Sequence, residues 1–529
     1  MILYNGKIYT MDKGKVVEAI KITGNKISKL GNSLDVLVFK DKNEECIDLK
    51  GKSVIPGFND SHMHLYGFGT TLEMVDLKNI SSIEEIISKV KNYIKISNIP
   101  YGKWVKGRGW NQDYFTNRVF PTRYDLDKIS SEHPIILTRA CGHMAVVNSK
   151  AIEICGLDNM KKNIEGGEYD LSLGIFKEKA LSLILDNIPK PSIIDIKKTL
   201  IEAMKYVNSM GITSVQTDDL SHCGNYKNML LAYDELNKEN RLNCRIYEQC
   251  LLNKDKLSEF IELGYKTGIG DDYFKIGPLK ILSDGSLGAR TAALENHYID
   301  DPSTKGVMCY TQDGLDDLIT YAHINDMQIA THCIGNRAMR MVLDSYEKAF
   351  SIKNNNNHRH GIIHCQITDK SILNRFKELN ICAYIQPIFL HYDIHIVEKR
   401  VGKELASTSY AFKSMLNKEI KVSLGTDCPV ESCNPFENIY CAVNRQDLHG
   451  LPLNGWNKQE SLSVYDAVYH YTVGGAYQSF AENIKGCIKT NYLADFVVLS
   501  DDIFTIEPMK IKDIEVLMTF VGGKIVYKK

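Results

Sequence analysis

The sequence predicts an α/β protein built on a (β/α)8 barrel of the TIM type. A subdomain inserted after the first strand and a small β-sandwich domain formed from both chain ends complete the prediction. Three observations support it: eight short apolar strands, helical patterns between the later strands, and chain ends with similar strand–turn–strand sequences. A chain of 529 residues is also long enough for a large core and an accessory domain.

The predicted barrel strands are short apolar runs that alternate with segments of helical periodicity. The segment Asn336–Phe350, for example, carries Ala338 and Val342 on one helical face. A closed (β/α)8 barrel has eight parallel strands that alternate with helices. The predicted strands are Ser53–Phe58, Ile212–Thr217, Arg245–Cys250, Gly277–Leu282, Gln328–Cys333, Gly361–Gln366, Ile381–Gln386 and Lys421–Asp427.

The segment between the first and second predicted strands is several times longer than one βα unit requires. Ser82 and Glu85 form a capping-box pattern that predicts the start of a helix, and Ile135–Ala140 is typical of a strand. We therefore predict that residues 65–191 form an inserted subdomain. At the barrel mouth such a subdomain could act as a lid over an active site.

The two chain ends have similar sequences of the kind that form β-hairpins. Leu3–Tyr9 contains an Asn-Gly turn, Phe520–Tyr527 contains a Gly-Gly turn, and a further hairpin is expected around Thr23–Asn25. Asp495–Leu499 is typical of another strand. Two independent hairpins are the alternative to one shared domain. The predicted domains are a composite β-sandwich at 1–55 and 486–529, and a barrel domain at 56–485.

Bulk composition indicates a soluble globular enzyme, with 44% hydrophobic and 24% charged residues. A net charge of −1 provides no electrostatic reason to expect nucleic acid or an anionic membrane surface as a partner. The first residues do not resemble a signal peptide, and no apolar stretch is long enough to span a bilayer. We therefore expect a cytoplasmic protein whose cysteines are reduced.

His62-Met63-His64 is a candidate metal-binding motif that directly follows the first predicted strand. Side chains of an extended segment alternate between two faces, so both imidazoles point to one side and Met63 to the other. Two neutral imidazoles side by side can bind a divalent metal ion. Taken alone, the motif favours a structural or surface pair over a metal site.

Further candidate residues lie at or near the ends of other predicted strands. In a barrel these ends converge on the carboxyl face, where TIM-barrel active sites are built. This convergence changes the balance in favour of a metal centre. The additional candidates are Lys280 in the fourth strand, His332 at the end of the fifth, His364 in the sixth and Asp427 at the end of the eighth.

The chain resembles the amidohydrolase superfamily, specifically its Amidohydro_3 branch of N-substituted formamide deformylase-like and YtcJ-like metal-dependent hydrolases. The matching stretches run almost end to end and in family order. They are PGFNDSHMHL, GWNQDYF, VVNSKA, KILSDGSLGARTAAL, HCIGNRA, IIHCQ, GTDCPVE and ADFVVL. One departure concerns the sixth strand, where members of the family typically have Ile-Glu-His and this chain has Ile363 before His364. The missing carboxylate is not a metal ligand in the family pattern, but it bears on the orientation of neighbouring groups.

The resemblance implies a centre of one or two divalent metal ions. One ion would be held by His62, His64 and Asp427, and the other by His332 and His364. Zinc is the expected metal, with manganese, iron or nickel also compatible with these ligand types.

The resemblance also implies that CO₂ carboxylates the amine of Lys280, and that the resulting carbamate bridges both ions. A buried lysine near a dication is driven toward its neutral amine, which is the form that reacts with CO₂. The alternative is an unmodified Lys280 paired with Asp284 or another carboxylate, which would favour a single metal ion.

The implied reaction is hydrolysis of an amide-like C–N bond, in an N-substituted formamide or another N-acyl compound. Metal would lower the pKa of a bound water to near 7, and Asp427 would pass the proton of this water to the leaving nitrogen. His332, His364 or a metal would polarise the carbonyl group. Alternatives are a mononuclear deaminase or cyclic-amide hydrolase, and a catalytically silent barrel that serves as a scaffold.

Four other residues are candidates for binding a small amide-like substrate. Trp110 belongs to an aromatic cluster in the insertion, for which core packing is an equal alternative. His143 lies in a segment that matches the family. Asp284 and Arg290 follow the fourth strand, where a plain loop is the alternative. A homodimer is the expected assembly, and the Asn354–Asn357 run with His358 and His360 is interpreted as a solvated loop.

Overall fold

The computed structural model describes residues 1–158, 160–161 and 163–529. It divides the chain into two compact units, one formed by residues 1–68 and 193–529 and the other by residues 69–192. No helix within these described ranges is both long and apolar enough to cross a membrane.

The first unit contains an eight-stranded parallel sheet that curls into a nearly closed barrel, which confirms the predicted α/β barrel class. All seven ladders between neighbouring strands are parallel. The strands are Phe58–Met63, Ile212–Thr217, Arg245–Leu251, Phe274–Leu282, Ile329–Cys333, Gly361–His364, Cys382–Ile385 and Val422–Leu424.

The predicted position of the first barrel strand is wrong. Ser53–Pro56 pairs with Phe496–Leu499 and Lys7–Tyr9 in another sheet, and the barrel begins at Phe58–Met63. Gly57 separates the two strands, and a Cβ atom there would lie 2.2 Å from the side chain of Thr213. The residues from 53 to 58 form one apolar run, and its periodicity does not indicate which of two sheets each half joins.

Hydrogen bonds between the ends of the first and eighth strands close the barrel. The N–H of Asp427 donates to the carbonyl of His62 at 2.7 Å, and the N–H of His64 donates to the carbonyl of Cys428 at 2.8 Å. Gly425 makes this approach possible, because a Cβ atom there would lie 2.6 Å from the backbone nitrogen of His62. Closure therefore occurs at the same positions as the candidate ligands.

Helices follow the barrel strands, and a helical segment with a π-helical turn at His470–Gly474 lies between the eighth strand and the strand Phe496–Leu499. Gln216 donates to the carbonyl of Gly475 at 3.0 Å, which ties this segment to the barrel. The main helices are Ile193–Ser209, Tyr226–Lys238, Lys254–Glu262, Gln312–Ile324, Asn336–Ile352, Lys370–Glu378, Val397–Ser407, Phe412–Asn417, Pro435–Asn444, Val464–Tyr469 and Gly475–Gln478.

The loop before the sixth strand differs from its predicted solvated state. His358 and His360 are 6% and 2% exposed, respectively, and His358 stacks on Phe350 with ring centroids 4.3 Å apart. The sequence does not indicate this burial, because the neighbouring asparagines are polar. The burial results from packing against the helix Asn336–Ile352, which contains Phe350.

Two further sheets in the first unit contain the chain ends. A hydrophobic cluster that includes Leu3, Ile20 and Phe520 has members from both sheets. One sheet has the order Lys26–Gly31, Ala19–Thr23, Ile2–Tyr4, Cys46–Asp48. The other has the order Lys524–Lys528, Val516–Val521, Phe496–Leu499, Ser53–Pro56, Lys7–Tyr9, Val16–Val17.

Hairpins at the chain ends agree with the sequence in two of three places. Val516–Val521 pairs with Lys524–Lys528, and Ala19–Thr23 pairs with Lys26–Gly31. The hairpin predicted across Leu3–Tyr9 is wrong, because its two strands enter different sheets. An Asn-Gly turn produces a β-hairpin only where its two flanking strands pair with each other, and here each strand pairs with a different partner.

The second unit has a six-stranded mixed sheet with its own hydrophobic cores. Its longest helix, Ile83–Ile96, begins at the predicted cap, where Ser82 accepts from the N–H of Glu85 at 3.1 Å. The strands, in sheet order, are Gly167–Asp170, Ile175–Glu178, Met144–Val147, Ile135–Arg139, Val105–Trp110 and Val75–Asp76.

Candidate metal centre

The carboxyl ends of the barrel strands bring the candidate ligands together. His62 lies within the first strand, and His64 follows it. One ligand atom from each of His62, His364 and Asp427 lies within 4.8 Å of the others, and all three residues are buried. The ring of His332 lies close to this group, with its centroid 4.5 Å from that of His364.

His62 and His64 face the same oxygen of Asp427. The Nε2 atoms of His62 and His64 lie 3.2 and 3.1 Å from Oδ1 of Asp427, respectively. The two imidazole rings have centroids 5.2 Å apart, as expected for side chains on one face of an extended segment. These atoms form a compact set of nitrogen and oxygen donors.

Gln249 determines which nitrogen of His62 carries a proton. The amide nitrogen of Gln249 donates to the carbonyl of Ser61 at 3.0 Å, so its Oε1 must be the atom 2.7 Å from Nδ1 of His62. An amide oxygen only accepts hydrogen bonds, so Nδ1 is protonated. The Nε2 lone pair of the neutral ring then points toward Asp427.

Gln386 orients His364 in the same way. Its amide nitrogen donates to the carbonyl of Tyr384 at 3.2 Å, which places Oε1 2.9 Å from Nδ1 of His364.

Burial lowers the pKa of His62 to about 3, with the charge of Lys280 acting in the same direction. Burial and the nearby His332 likewise hold the pKa of His364 well below its usual range. Both rings are therefore neutral near pH 7, which is the state in which imidazole binds metal ions.

These residues fit a divalent cation. In the neutral tautomer just described, the Nε2 lone pair of His62 faces a carboxylate oxygen of Asp427 at 3.2 Å. Two electron-rich atoms at this distance repel each other unless a positive charge lies beside them, and the ammonium of Lys280, 3.0 Å from the same Nε2, supplies that charge here. Imidazole nitrogens and a carboxylate oxygen are common ligands of zinc and neighbouring transition metals.

His332 is held by a different set of contacts. Its Nε2 lies 3.2 Å from the carbonyl oxygen of Gly285 and 3.3 Å from Oδ1 of Asp284. Both partners are acceptors, so Nε2 carries the proton and Nδ1 is the nitrogen available to a metal ion. Histidine ligands commonly donate their second nitrogen to a carbonyl or carboxylate in this way.

The carboxylate of Asp284, which is predicted to bind substrate, is hydrogen-bonded to the protein backbone in this structure. It accepts from the backbone N–H groups of Ala293, Ile334 and Gly335 at 2.8 to 3.1 Å.

Lys280 lies among the ligands, with Nζ 3.0 Å from Nε2 of His62. Burial lowers the pKa of Lys280 to about 8, against the opposing effect of Asp218 and Asp427. About a tenth of the Lys280 side chains are therefore neutral amines at pH 7, and about half at pH 8.

Two candidate ligands have strained backbones. His364 and Asp427 have φ angles of 80° and 59°, in the left-handed region that residues with a Cβ atom rarely adopt. Such conformations cost roughly 1–3 kcal/mol each and persist where the surrounding structure enforces them. The strain supports a functional role for both positions.

The other predicted substrate residues have structural partners. Trp110 is fully buried in a core of the second unit, and its indole N–H donates to the carbonyl of Leu137 at 2.9 Å. His143 is exposed and lies 3.1 Å from Glu178. Arg290 makes a two-pronged contact with Asp300 at 2.9 and 3.1 Å. Trp110 thus packs in a core of the second unit, and the guanidinium of Arg290 forms an ion pair with Asp300.

Sequence reasoning missed several residues around the centre. Gln249 and Gln386 were not identified, although each stands near the carboxyl end of a predicted strand, where the ligands were sought. His222 follows the second strand, and its ring centroid lies 5.3 Å from that of His64. Asp60, two residues before His62, was also not assigned a role; its carboxylate accepts from the N–H of His62 at 3.2 Å.

Comparison with known proteins agrees with this geometry. Residues 45–527 match the model of the Amidohydro_3 amidohydrolase family. The chain is 33% identical over 536 residues to the Bacillus subtilis (strain 168) protein named "Putative amidohydrolase YtcJ", covering 100% of this chain and 99% of that protein. It is 24% identical to N-substituted formamide deformylase of Arthrobacter pascens, covering 100% and 98% of the two chains.

A crystal structure of an uncharacterized metal-dependent hydrolase from Pyrococcus furiosus superimposes with a TM-score of 0.79 at 31% identity, covering 95% of this chain and 99% of that one. The family match extends over nearly the whole sequence, and the buried histidines and aspartate form a set that can bind metal. The chain therefore belongs to the amidohydrolase family, and it is a hydrolase that acts on carbon–nitrogen bonds.

Proposed function

We propose that the protein uses one or two divalent metal ions to hydrolyse the amide bond of a small N-acyl compound, such as an N-substituted formamide. The observation that carries this proposal is the convergence of Nε2 of His62 and Nε2 of His64 on Oδ1 of Asp427, at 3.2 and 3.1 Å. The name of the formamide deformylase from Arthrobacter pascens supports the substrate class at 24% identity.

His62, His64 and Asp427 would hold one ion, and His332 and His364 would hold the other. When bound, a divalent ion supplies a lowered pKa, near 7, for a water molecule and a positive charge for the carbonyl oxygen. Zinc is the metal that this mixture of imidazole and oxygen donors favours, with manganese, iron and nickel as alternatives.

Asp427 is the proposed proton carrier. Its carboxylate accepts the proton that the attacking water loses and then delivers it to the leaving nitrogen. The carboxylate is kept in one position by two kinds of contact. The N–H of Asp427 donates a hydrogen bond to the carbonyl of His62, and Oδ1 of Asp427 contacts both histidines. His332 and His364, fixed by Gly285 and Gln386, border the place where the carbonyl group would be polarised.

Lys280 is proposed to carry a carbamate that bridges the two ions. Its position 3.0 Å from a ligand nitrogen places a positive charge where a metal ion is needed, and carboxylation replaces that charge with oxygen donors. The carbamate can be detected directly by ¹³C NMR after incubation with ¹³C-bicarbonate and metal. A new carbonyl signal that is absent from Lys280→Met would support it, and equal signals in both proteins would argue against it.

The domain organisation proposed from the sequence has separate support. A hydrophobic cluster shared by the two terminal sheets supports a composite β-sandwich at 1–55 and 486–529. A compact unit at 69–192 supports an inserted subdomain at 65–191 within the barrel domain 56–485. A homodimer that binds a small amide-like substrate remains our proposal for the assembly.

Metal content is the first test, measured by elemental analysis of protein purified without chelators. About two divalent ions per chain would support the two-metal centre, and about one would favour a mononuclear deaminase or cyclic-amide hydrolase. The loaded protein is then incubated with N-alkylformamides and N-acyl amino acids, and the released amine is measured. Absence of metal after incubation with zinc, manganese and bicarbonate would favour a silent scaffold and contradict the proposal.

A further inference from the structure

A cavity lies at the opposite end of the barrel from the candidate metal centre. It has a volume of about 500 Å³ and lies beside Val422, where the eighth strand begins, whereas Asp427 lies beyond the end of that strand. Cavities that bind small ligands usually enclose about 300–1,000 Å³. Its position separates it from the catalytic chemistry.

The wall of this cavity includes an unusual helical segment. His470–Gly474 is a π-helical turn between Val464–Tyr469 and Gly475–Gln478. Such turns are rare and are found frequently at functional sites. Here the turn brings His470 against the eighth strand, where Nδ1 lies 3.0 Å from the carbonyl of Val422. Because a carbonyl only accepts, Nδ1 is protonated and Nε2 is the ring atom left for a ligand.

The charged side chains of the cavity leave one cation without a carboxylate. Asp466 pairs with Lys413 at 3.1 Å, and the other two acidic groups pair outside the cavity lining. Lys421 has no carboxylate within salt-bridge distance among the residues that the structure describes. The two remaining acidic pairs are Glu419 with Lys377 at 2.6 Å and Glu482 with Arg359 at 2.7 Å.

Aromatic rings provide an apolar surface next to this cation. Tyr477 lies under Lys421, with the ammonium 5.9 Å from the ring centroid, and Tyr469 lines the same cavity. Arg359 covers Tyr477 at 4.0 Å and keeps the ring in place. A ligand suited to this cavity therefore combines one negative charge with a flat apolar body.

We propose that this cavity binds a small aromatic carboxylate, with its carboxyl group on Lys421 and its ring against Tyr469 and Tyr477. The inference does not depend on the reaction at the metal centre, because none of the cavity residues is a candidate ligand. A ligand here would contact the start of the eighth strand, and Asp427 follows the end of the same strand.

Benzoate is the probe for the test, and its binding to the full chain is measured by isothermal titration calorimetry. Lys421→Met removes the charge and keeps the length of the side chain. Lys418→Met is the matched control, because Lys418 is three residues away and its ammonium contacts Asn374 at 2.6 Å. Asp427→Asn reports whether benzoate binds at the metal centre instead.

We expect saturable binding that is weakened about tenfold or more in Lys421→Met, as for the loss of a charge-assisted hydrogen bond, and is unchanged in Lys418→Met. Absence of binding to the unmodified chain would overturn the proposal. So would equal binding by Lys421→Met, or weakened binding in Asp427→Asn alone, which would place benzoate at the metal centre.

Discussion

The carboxylate of Asp60 accepts hydrogen bonds from both the backbone N–H and the hydroxyl group of Thr426, at 3.1 and 2.7 Å. Tyr471 donates to the same carboxylate at 3.1 Å, and so does the backbone N–H of His62 at 3.2 Å. Asp60 thus links the first and eighth strands between two candidate ligands, His62 and Asp427. These buried hydrogen bonds fix the first and eighth strands relative to each other beside the candidate metal centre.

Replacing Asp60 with Asn should destabilise the protein and reduce its metal content. Burial raises the pKa of Asp60 to about 7, so the side chain is ionised at pH 8. An amide would present an NH₂ group to some of the four donors, and losing bonds to a charged group costs about 1.5–3 kcal/mol. Urea unfolding at pH 8 measures the change. Thr426→Val removes one hydroxyl donor to the carboxylate and the acceptor of the Cys428 N–H, and should cost about 1.5–3 kcal/mol. An Asp60→Asn protein as stable as the unmodified protein would contradict this role.

Gly425→Ala tests the close approach of the first and eighth strands. The added Cβ atom would lie 2.6 Å from the nitrogen of His62 and 2.9 Å from Oδ1 of Asp60. We expect a loss of about 1–3 kcal/mol in the free energy of unfolding, because the backbone must shift. Gly288→Ala is the control, since a Cβ atom there meets nothing within 4 Å. Similar unfolding curves for the two variants would exclude a tight contact at Gly425.

Gln249→Leu should weaken metal binding much more than folding. The variant loses the acceptor that orients Nδ1 of His62, and such supporting partners typically contribute about 10- to 100-fold to metal affinity. Competition with a chelator of known affinity measures this change. Gln312→Leu, a substitution in the helix Gln312–Ile324, is the matched control and should keep its affinity. Unchanged affinity in Gln249→Leu would mean that His62 needs no such support.

Asp427→Asn should remove nearly all turnover while the fold is retained. An amide cannot accept the proton of the attacking water, and general acid–base groups contribute about 10²- to 10⁴-fold to rate. The rate is measured at saturating metal, so that lost affinity is separated from lost chemistry, and circular dichroism checks the fold. Asp501→Asn, at an exposed position, is the control. Unchanged hydrolysis by Asp427→Asn would disprove the proposed mechanism.

Stability should fall as pH decreases below about 6.5, because buried histidines stay neutral in the folded state. Burial lowers the pKa of His358 to about 4 and that of His360 well below its usual range. His360 accepts from the N–H of Ile329 at Nδ1 and contacts His323 at 2.8 Å through Nε2. A proton on Nδ1 would break the first of these bonds.

The sign follows from proton uptake on unfolding. Below pH 6.5 the unfolded chain binds protons that the folded chain excludes, so each histidine removes up to about 1.4 kcal/mol per pH unit. His358→Asn retains an acceptor for the N–H of His360, which Nδ1 accepts at 2.8 Å, and should make the slope shallower. His143→Asn, at an exposed position, controls for the loss of a histidine. Equal slopes between pH 6.5 and 5 in all three proteins would contradict this explanation.

Local patterns in the sequence determined the barrel class and the candidate ligands. Strand and helix periodicities depend on neighbouring residues, so seven of the eight barrel strands and the helix from Asn336 could be identified without knowing their partners. The alternation of side chains placed His62 and His64 on one face. Strand ends then identified Lys280, His332, His364 and Asp427, because a parallel barrel brings all such ends to one side.

Only the tertiary structure decided which groups surround these ligands. Gln249 meets His62 across 187 positions of sequence, and Asp60 meets Thr426 across 366. Such contacts depend on strand register and burial, which no local pattern records. For the same reason, the sequence did not indicate that Ser53–Pro56 pairs in another sheet or that Arg290 forms an ion pair with Asp300. Distant partners compete for each polar group, and the folded chain alone determines which partner is close enough to bind.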